Sequence, residues 1–93
     1  MANMTSNANA AGAVSPAYPG RLIRQGSSGS EVARVQSYLN ALASSVPGAG
    51  GVAVDGIFGA ATRRAVQTFQ RSVDLPADGV VGPETWNALI GAY

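Results

Sequence analysis

Asp55-Gly56-Ile57-Phe58-Gly59-Ala60-Ala61-Thr62-Arg63-Arg64-Ala65-Val66 is said a second time, in outline, by Asp78-Gly79-Val80-Val81-Gly82-Pro83-Glu84-Thr85-Trp86-Asn87-Ala88-Leu89. Asp, both Gly, Thr and Ala return at one constant offset of 23 residues. Each copy reads Asp-Gly, two apolar residues, Gly, and then a stretch with Thr and Ala three residues apart. Asp-Gly is a turn dipeptide, because the carboxylate accepts nearby backbone N–H bonds and Gly tolerates positive φ. The stretch after the second Gly has helical character. A turn feeding a helix, written twice, is a repeated supersecondary unit. Two copies are too few for a solenoid, so the expected fold is a small domain with internal pseudo-symmetry.

Working outward, Gly59 is placed as the N-cap of one helix, whose buried face is Ala65, Val66, Phe69 and Val73. Leu75-Pro76 ends it. Gly82 caps the next helix, and Pro83 takes its first position, where a missing N–H costs nothing. Glu84 suits the positive end of that helix. Trp86, Leu89 and Ile90 form its inner face, and Gly91 its stop. Upstream, Val32, Val35, Leu39 and Leu42 step by three, four and three along one helical face. Tyr38 borders that face, while Gln36, Ser37 and Asn40 are read as pointing elsewhere. Ser28 with Glu31 fits a capping box for this helix. Pro47 should end it near Ser44 or Ser45, and residues 46–53 should form a mobile Gly-rich loop. Arg21-Leu22-Ile23-Arg24 is an extended lead-in that lays Leu22 or Ile23 on the core.

The fold class is therefore all-α, a small three-helix bundle with an internal pseudo-repeat. Ile57-Phe58 and Val80-Val81 are placed to lie side by side as one minimal two-stranded contact. The expected core is Val32, Val35, Leu39, Leu42, Ala65, Val66, Phe69, Leu75 and Leu89, with the valines of the turns. Residues 1–20, rich in Ala, Asn, Ser, Gly and Pro without either period, read as a flexible linker or tail. Residues 21–93 are the folded domain.

Composition excludes several functions. The 93 residues carry six Arg, five acids and a net charge of +1, with only 12% charged residues. That is no basic footprint for nucleic acid, which needs cations clustered on one face. There is no Cys and no His. Disulfides, thiol nucleophiles and the commonest metal ligands are thus missing, and neither metal nor cofactor is expected. No apolar run approaches a membrane span. No Lys or Arg precedes Arg21, so this stretch carries no visible export signal. A monomer is expected.

Three segments, in order, resemble the peptidoglycan-binding domain family, the three-helix modules attached to bacterial and phage cell-wall hydrolases. They are Gly26-Ser27-Ser28-Gly29 with Val32, Val35-Gln36 and Leu39; Asp55-Gly56-Ile57-Phe58-Gly59 with Thr62, Ala65-Val66 and Phe69-Gln70; and Leu75 with Asp78-Gly79-Val80-Val81-Gly82 and Thr85-Trp86. The Gly-rich loop of residues 46–53 is longer than in many members. The resemblance implies a non-catalytic module that anchors a hydrolase domain of the same natural chain to the wall, outside the cell. It also leaves open a protein-interaction module akin to the inhibitory pro-regions that share the fold.

The candidate peptidoglycan-binding residues are Asp55, Gly56, Phe58, Thr62, Asp78 and Trp86. The aspartates can accept sugar hydroxyls or simply close turns. Phe58 and Trp86 can stack on a sugar or simply fill the core. Thr62 can face a groove or serve the first helical turn. Gly56 can admit a ligand or only the backbone. The groove is expected near the first copy, between the second and third helices, where Phe58→Ala would weaken binding and leave the helices intact. Stand-alone glycoside hydrolysis would need two carboxylates across a cleft, one with a raised pKa. Only Asp55, Asp78 and Glu84 are placed for that, and each already has a turn or capping task.

Overall fold

The computed structural model describes residues 17–92. Three helices account for nearly half of them: α1 (Ser30–Ala41), α2 (Ala60–Ser72) and α3 (Pro83–Ala92), with α1 packed against both others. The expected all-α bundle is thus observed. Its core is centred on Val35, Leu39, Val66, Phe69, Val81 and Leu89, each fully buried. Eight of the nine core residues named from the sequence are buried, and Leu75 is only half-buried; of the valines in the second turn, Val81 is buried and Val80 half-buried. Val73, expected on the inner face of α2, is exposed. The helix ends at Ser72 and the chain turns away through Asp74, which holds a positive φ of 60°.

The two-stranded contact forms differently from the expectation. Ile57-Phe58 and Val80-Val81 do not pair with each other. Each pairs with the chain ahead of α1: Ile23 of the lead-in bridges Val81, and Ser28, further along, bridges Ile57, both antiparallel. Ile23 and Val81 exchange two backbone bonds of 3.1 and 2.7 Å, while Phe58 N–H donates to the Ser27 carbonyl at 3.0 Å. The stretch of residues 23–28 is therefore the shared seam of the two copies. Extended chain alternates its side chains, and Ile23 goes into the core while Leu22 stays outside, 53% exposed.

Helix ends follow backbone logic more than side-chain capping. The Ser28–Glu31 capping box does not form. Gly29 is the N-cap of α1, with φ 122° and no side-chain cap bond. Ser28 is held in its bridge, and Glu31 turns to the guanidinium of Arg21 instead. That pair is largely solvated and worth little. Gly59 is the N-cap of α2 and Pro83 opens α3, both as expected. Helix α1 stops at Ala41, slightly earlier than Ser44, and α3 continues past Gly91 to Ala92.

The loop of residues 46–53 is packed. Asn40 clamps it, donating to the Val52 carbonyl at 2.8 Å and accepting from Val52 N–H at 3.1 Å. Ala49 and Val52 are buried, and a Cβ on Gly50 would stand 2.3 Å from that of Ala43. Within the segment read as linker, residues 1–16 lie outside the described residues. Tyr18 packs edge-on against Trp86, with centroids 6.0 Å apart, and its hydroxyl donates to the Arg21 carbonyl at 2.6 Å.

Candidate functional site

The repeated phrase is held by a repeated device, a buried glutamine on the preceding helix. Gln36 of α1 is 1% exposed. Its Nε2 donates to Asp55 Oδ1 (3.1 Å), the Ile57 carbonyl (3.0 Å) and Thr62 Oγ1 (3.1 Å). Its Oε1 accepts from the backbone N–H groups of Asp55 (3.1 Å) and Gly56 (3.0 Å). Gln70 of α2, also 1% exposed, does the same for the second copy. It donates to Asp78 Oδ1 (2.9 Å), the Val80 carbonyl (3.0 Å) and Thr85 Oγ1 (3.2 Å), and accepts from Gly79 N–H (2.9 Å). Reading Gln36 as lying off the buried face was therefore wrong. A buried amide is tolerated because its hydrogen-bonding capacity is met.

The aspartates close their turns. Asp55 Oδ1 accepts from Ile57 N–H and Asp78 Oδ1 from Val80 N–H, each at 3.0 Å. The Ile57 N–H and the Gln36 amide hold the Asp55 carboxyl below its ordinary pKa. The Val80 N–H, the Gln70 amide and, more weakly, the Arg63 charge do so for Asp78. Hydrogen bonds to the charged form are the leading cause in both cases. Such a carboxyl stays ionised near neutrality, which suits an acceptor and not a general acid.

Each copy builds a hollow from equivalent residues. The first, of about 230 Å³, is lined by Gln36, Asp55, Ile57, Gly59, Ala61 and Thr62 among others. The second is lined by Gln70, Asp78, Val80, Gly82, Glu84 and Thr85 at the matching positions. It is larger, about 520 Å³, because Leu22, Leu75 and Pro76 extend its walls. That volume falls in the range of small-molecule sites. An apolar wall with a polar rim of Asp78, Glu84 and Thr85 fits a ligand that has both apolar and hydroxyl-bearing faces.

The six sequence-predicted site residues are not brought together. Asp55, Gly56 and Thr62 belong to the first copy, and Asp78 to the second. Phe58 (1% exposed) and Trp86 (2%) stand in the core, so neither offers a face for stacking. Phe58→Ala is accordingly a core truncation, contrary to the expectation that the fold would be untouched. The larger hollow lies at the second copy, not the first. Leu22, Leu75, Val80 and Thr85, which line the larger hollow, are not among those six. The signal for Val80 and Thr85 was the repeat itself, which places them opposite Ile57 and Thr62.

The chain belongs to the family described as "Putative peptidoglycan binding domain", whose model matches residues 28–89. It is 43% identical over 68 residues to a zinc D-Ala-D-Ala carboxypeptidase of Streptomyces albus G, covering 72% of this chain and 25% of that protein. It is 38% identical over 73 residues to a probable N-acetylmuramoyl-L-alanine amidase of Bacillus licheniformis, covering 78% and 20%. The chain thus spans only a quarter or less of these curated relatives. Among solved structures, the N-terminal domain of SleB superposes with a TM-score of 0.69 at 36% identity, over 82% of this chain and 97% of that one.

Proposed function

We propose that the domain binds peptidoglycan in the hollow of the second copy and thereby anchors an attached hydrolase domain at the wall, outside the cell, without catalysing anything itself. The carrying observation is the asymmetry between two repeat-related hollows. The second alone gains the apolar wall of Leu22, Leu75 and Pro76. An amphipathic sugar with an N-acetyl methyl group suits that wall, and its hydroxyl and amide donors suit Asp78, Glu84 and the backbone rim. Family membership supports the ligand class, and the catalytic names of the longer relatives support the anchoring role. The lowered carboxyl pKa values at Asp55 and Asp78 support binding over hydrolysis, because glycoside cleavage calls for a carboxyl held protonated.

The test is co-sedimentation with purified insoluble peptidoglycan, with turbidity followed in the same tubes. Binding without clearing is expected, and Leu22→Ser, an exposed position, should reduce it several-fold, since the methylenes lost are worth roughly 1–2 kcal/mol. Clearing of the suspension, or no sedimentation with walls of several chemistries, would overturn the reading.

A further inference from the structure

The large hollow has a neighbour. A smaller recess of about 160 Å³ is lined by Arg24, Gln25, Arg63, Asp78, Gly79 and Val80. Asp78 and Val80 line both spaces, so they form the wall between the two. The lead-in runs along the pair, giving Leu22 to the large hollow and Arg24 to the small one. Two arginines against one aspartate leave the small recess net positive. The Asp78 carboxylate already accepts from Val80 N–H and Gln70, and both arginine side chains are on the surface.

The equivalent place in the first copy is filled differently. Gly56 and Gly79 are equivalent and have the same backbone conformation, φ 73° and 74°. Behind Gly56 stands backbone: an added Cβ would lie 3.1 Å from the Gly29 carbonyl oxygen, and Gly29 N–H donates to the Gly56 carbonyl at 2.9 Å. Behind Gly79 stands a side chain: an added Cβ would lie 2.7 Å from Cγ of Arg63 and 2.9 Å from its Nε. Where the first copy is closed by chain, the second is bordered by a guanidinium that lies across the missing side chain of Gly79.

We propose that the small recess takes a carboxylate of the peptidoglycan stem peptide, with Arg24 and Arg63 as its cations, while the adjoining large hollow takes the sugar. This rests on the wall-binding reading above and names which part of the wall goes where. The lining fits that order: the apolar hollow carries acceptors for neutral donors, and the basic recess carries donors for an anion. A guanidinium is suited to this task because its planar fork matches a carboxylate in two parallel bonds. The domain thus reads the junction where peptide leaves glycan.

The test has two arms. The first is sedimentation of the unaltered domain with insoluble peptidoglycan. The second is an NMR titration with N-acetylmuramyl-L-alanyl-D-glutamate, carboxylates free, and with the same molecule fully amidated. The free acid should bind more tightly than the diamide. Arg24→Gln and Arg63→Gln should each weaken the acid roughly two- to fivefold, the span of a solvent-exposed ion pair, and leave the diamide unchanged. Arg63→Lys, which keeps the charge and loses the planar fork, should retain only part of the effect, and circular dichroism of each variant reports the fold. If the domain sediments with walls but does not distinguish acid from diamide, or both glutamine variants bind the acid as tightly as the parent, the carboxylate assignment falls and wall binding stands. If the domain does not sediment at all, the underlying reading falls and takes this one with it.

Discussion

Replacing Gln36 with Leu keeps the side chain's bulk and removes every hydrogen bond that ties α1 to the first copy. The Gln36 amide makes contacts of 3.0–3.1 Å to three acceptors and two backbone donors. Its two N–H bonds are shared among three acceptors, so about four full hydrogen bonds are at stake. At a net value of about 1 kcal/mol each, the loss is about 4 kcal/mol. Greater apolar burial by leucine returns about 1 kcal/mol. The expected destabilisation is thus about 3 kcal/mol, against a total of roughly 4–10 kcal/mol for a domain this size. Urea unfolding followed by the fluorescence of Trp86, which is buried, measures it directly. Gln36→Glu sharpens the test. Its carboxylate would face the Asp55 carboxylate and the Ile57 carbonyl, so it should destabilise more than leucine at neutral pH and recover part of the loss on acidification, when it can donate again. A loss below about 1 kcal/mol for Gln36→Leu, or no pH dependence for Gln36→Glu, would refute the hub argument.

Other outcomes follow from the same geometry. Phe69→Ala and Phe58→Ala, both at fully buried positions, should each cost about 3–5 kcal/mol in urea unfolding; Phe58→Ala would be spared if that ring were a surface platform. Gly56→Ala and Gly79→Ala should each destabilise by more than the left-handed strain of about 1–2 kcal/mol alone, because the new Cβ would also crowd the Gly29 carbonyl at Gly56 and Cγ of Arg63 at Gly79. A loss no larger than the strain, measured by thermal unfolding, would count against that crowding. Asp55 and Asp78 have folded-state pKa values below their unfolded ones. Their stabilisation is therefore complete above the unfolded pKa of about 4 and disappears as pH falls through the lower folded values. Thermal midpoints measured from pH 6 down to pH 2 should drop below about pH 4, and the Asp55→Asn, Asp78→Asn double variant should drop less.

The fold was legible because its determinants are local. The heptad-like spacing of Val32, Val35, Leu39 and Leu42 and the Gly-Pro entry of α3 carry their meaning within one turn of helix. The 23-residue register exposed the pseudo-repeat for the same reason, since each copy contains its own turn and its own helix start. The glutamines were opaque because each lies on the preceding helix, across connections of unequal length. Gln36 precedes Asp55 by 19 residues, whereas Gln70 precedes Asp78 by only eight. The packed loop of residues 46–53 makes most of that difference, so the two hubs fall out of register. Leu22, Leu75 and Pro76 were hidden for another reason. They meet only when the lead-in crosses beside the second copy, and nothing in their own neighbourhoods announces that crossing. Phe58 misled because an aromatic beside an Asp-Gly turn resembles a displayed side chain, while strand alternation at the bridge of Ser28 and Ile57 turns Ile57 outward and Phe58 inward.

The central claim is that the second copy, and not the first, holds the wall ligand. It is tested most directly by backbone amide NMR of the labelled domain titrated with soluble peptidoglycan fragments. The shifts should cluster at Leu22, Leu75, Asp78, Val80 and Thr85, and leave Asp55, Ile57 and Ala61 in place. Shifts centred on the first copy would contradict the account.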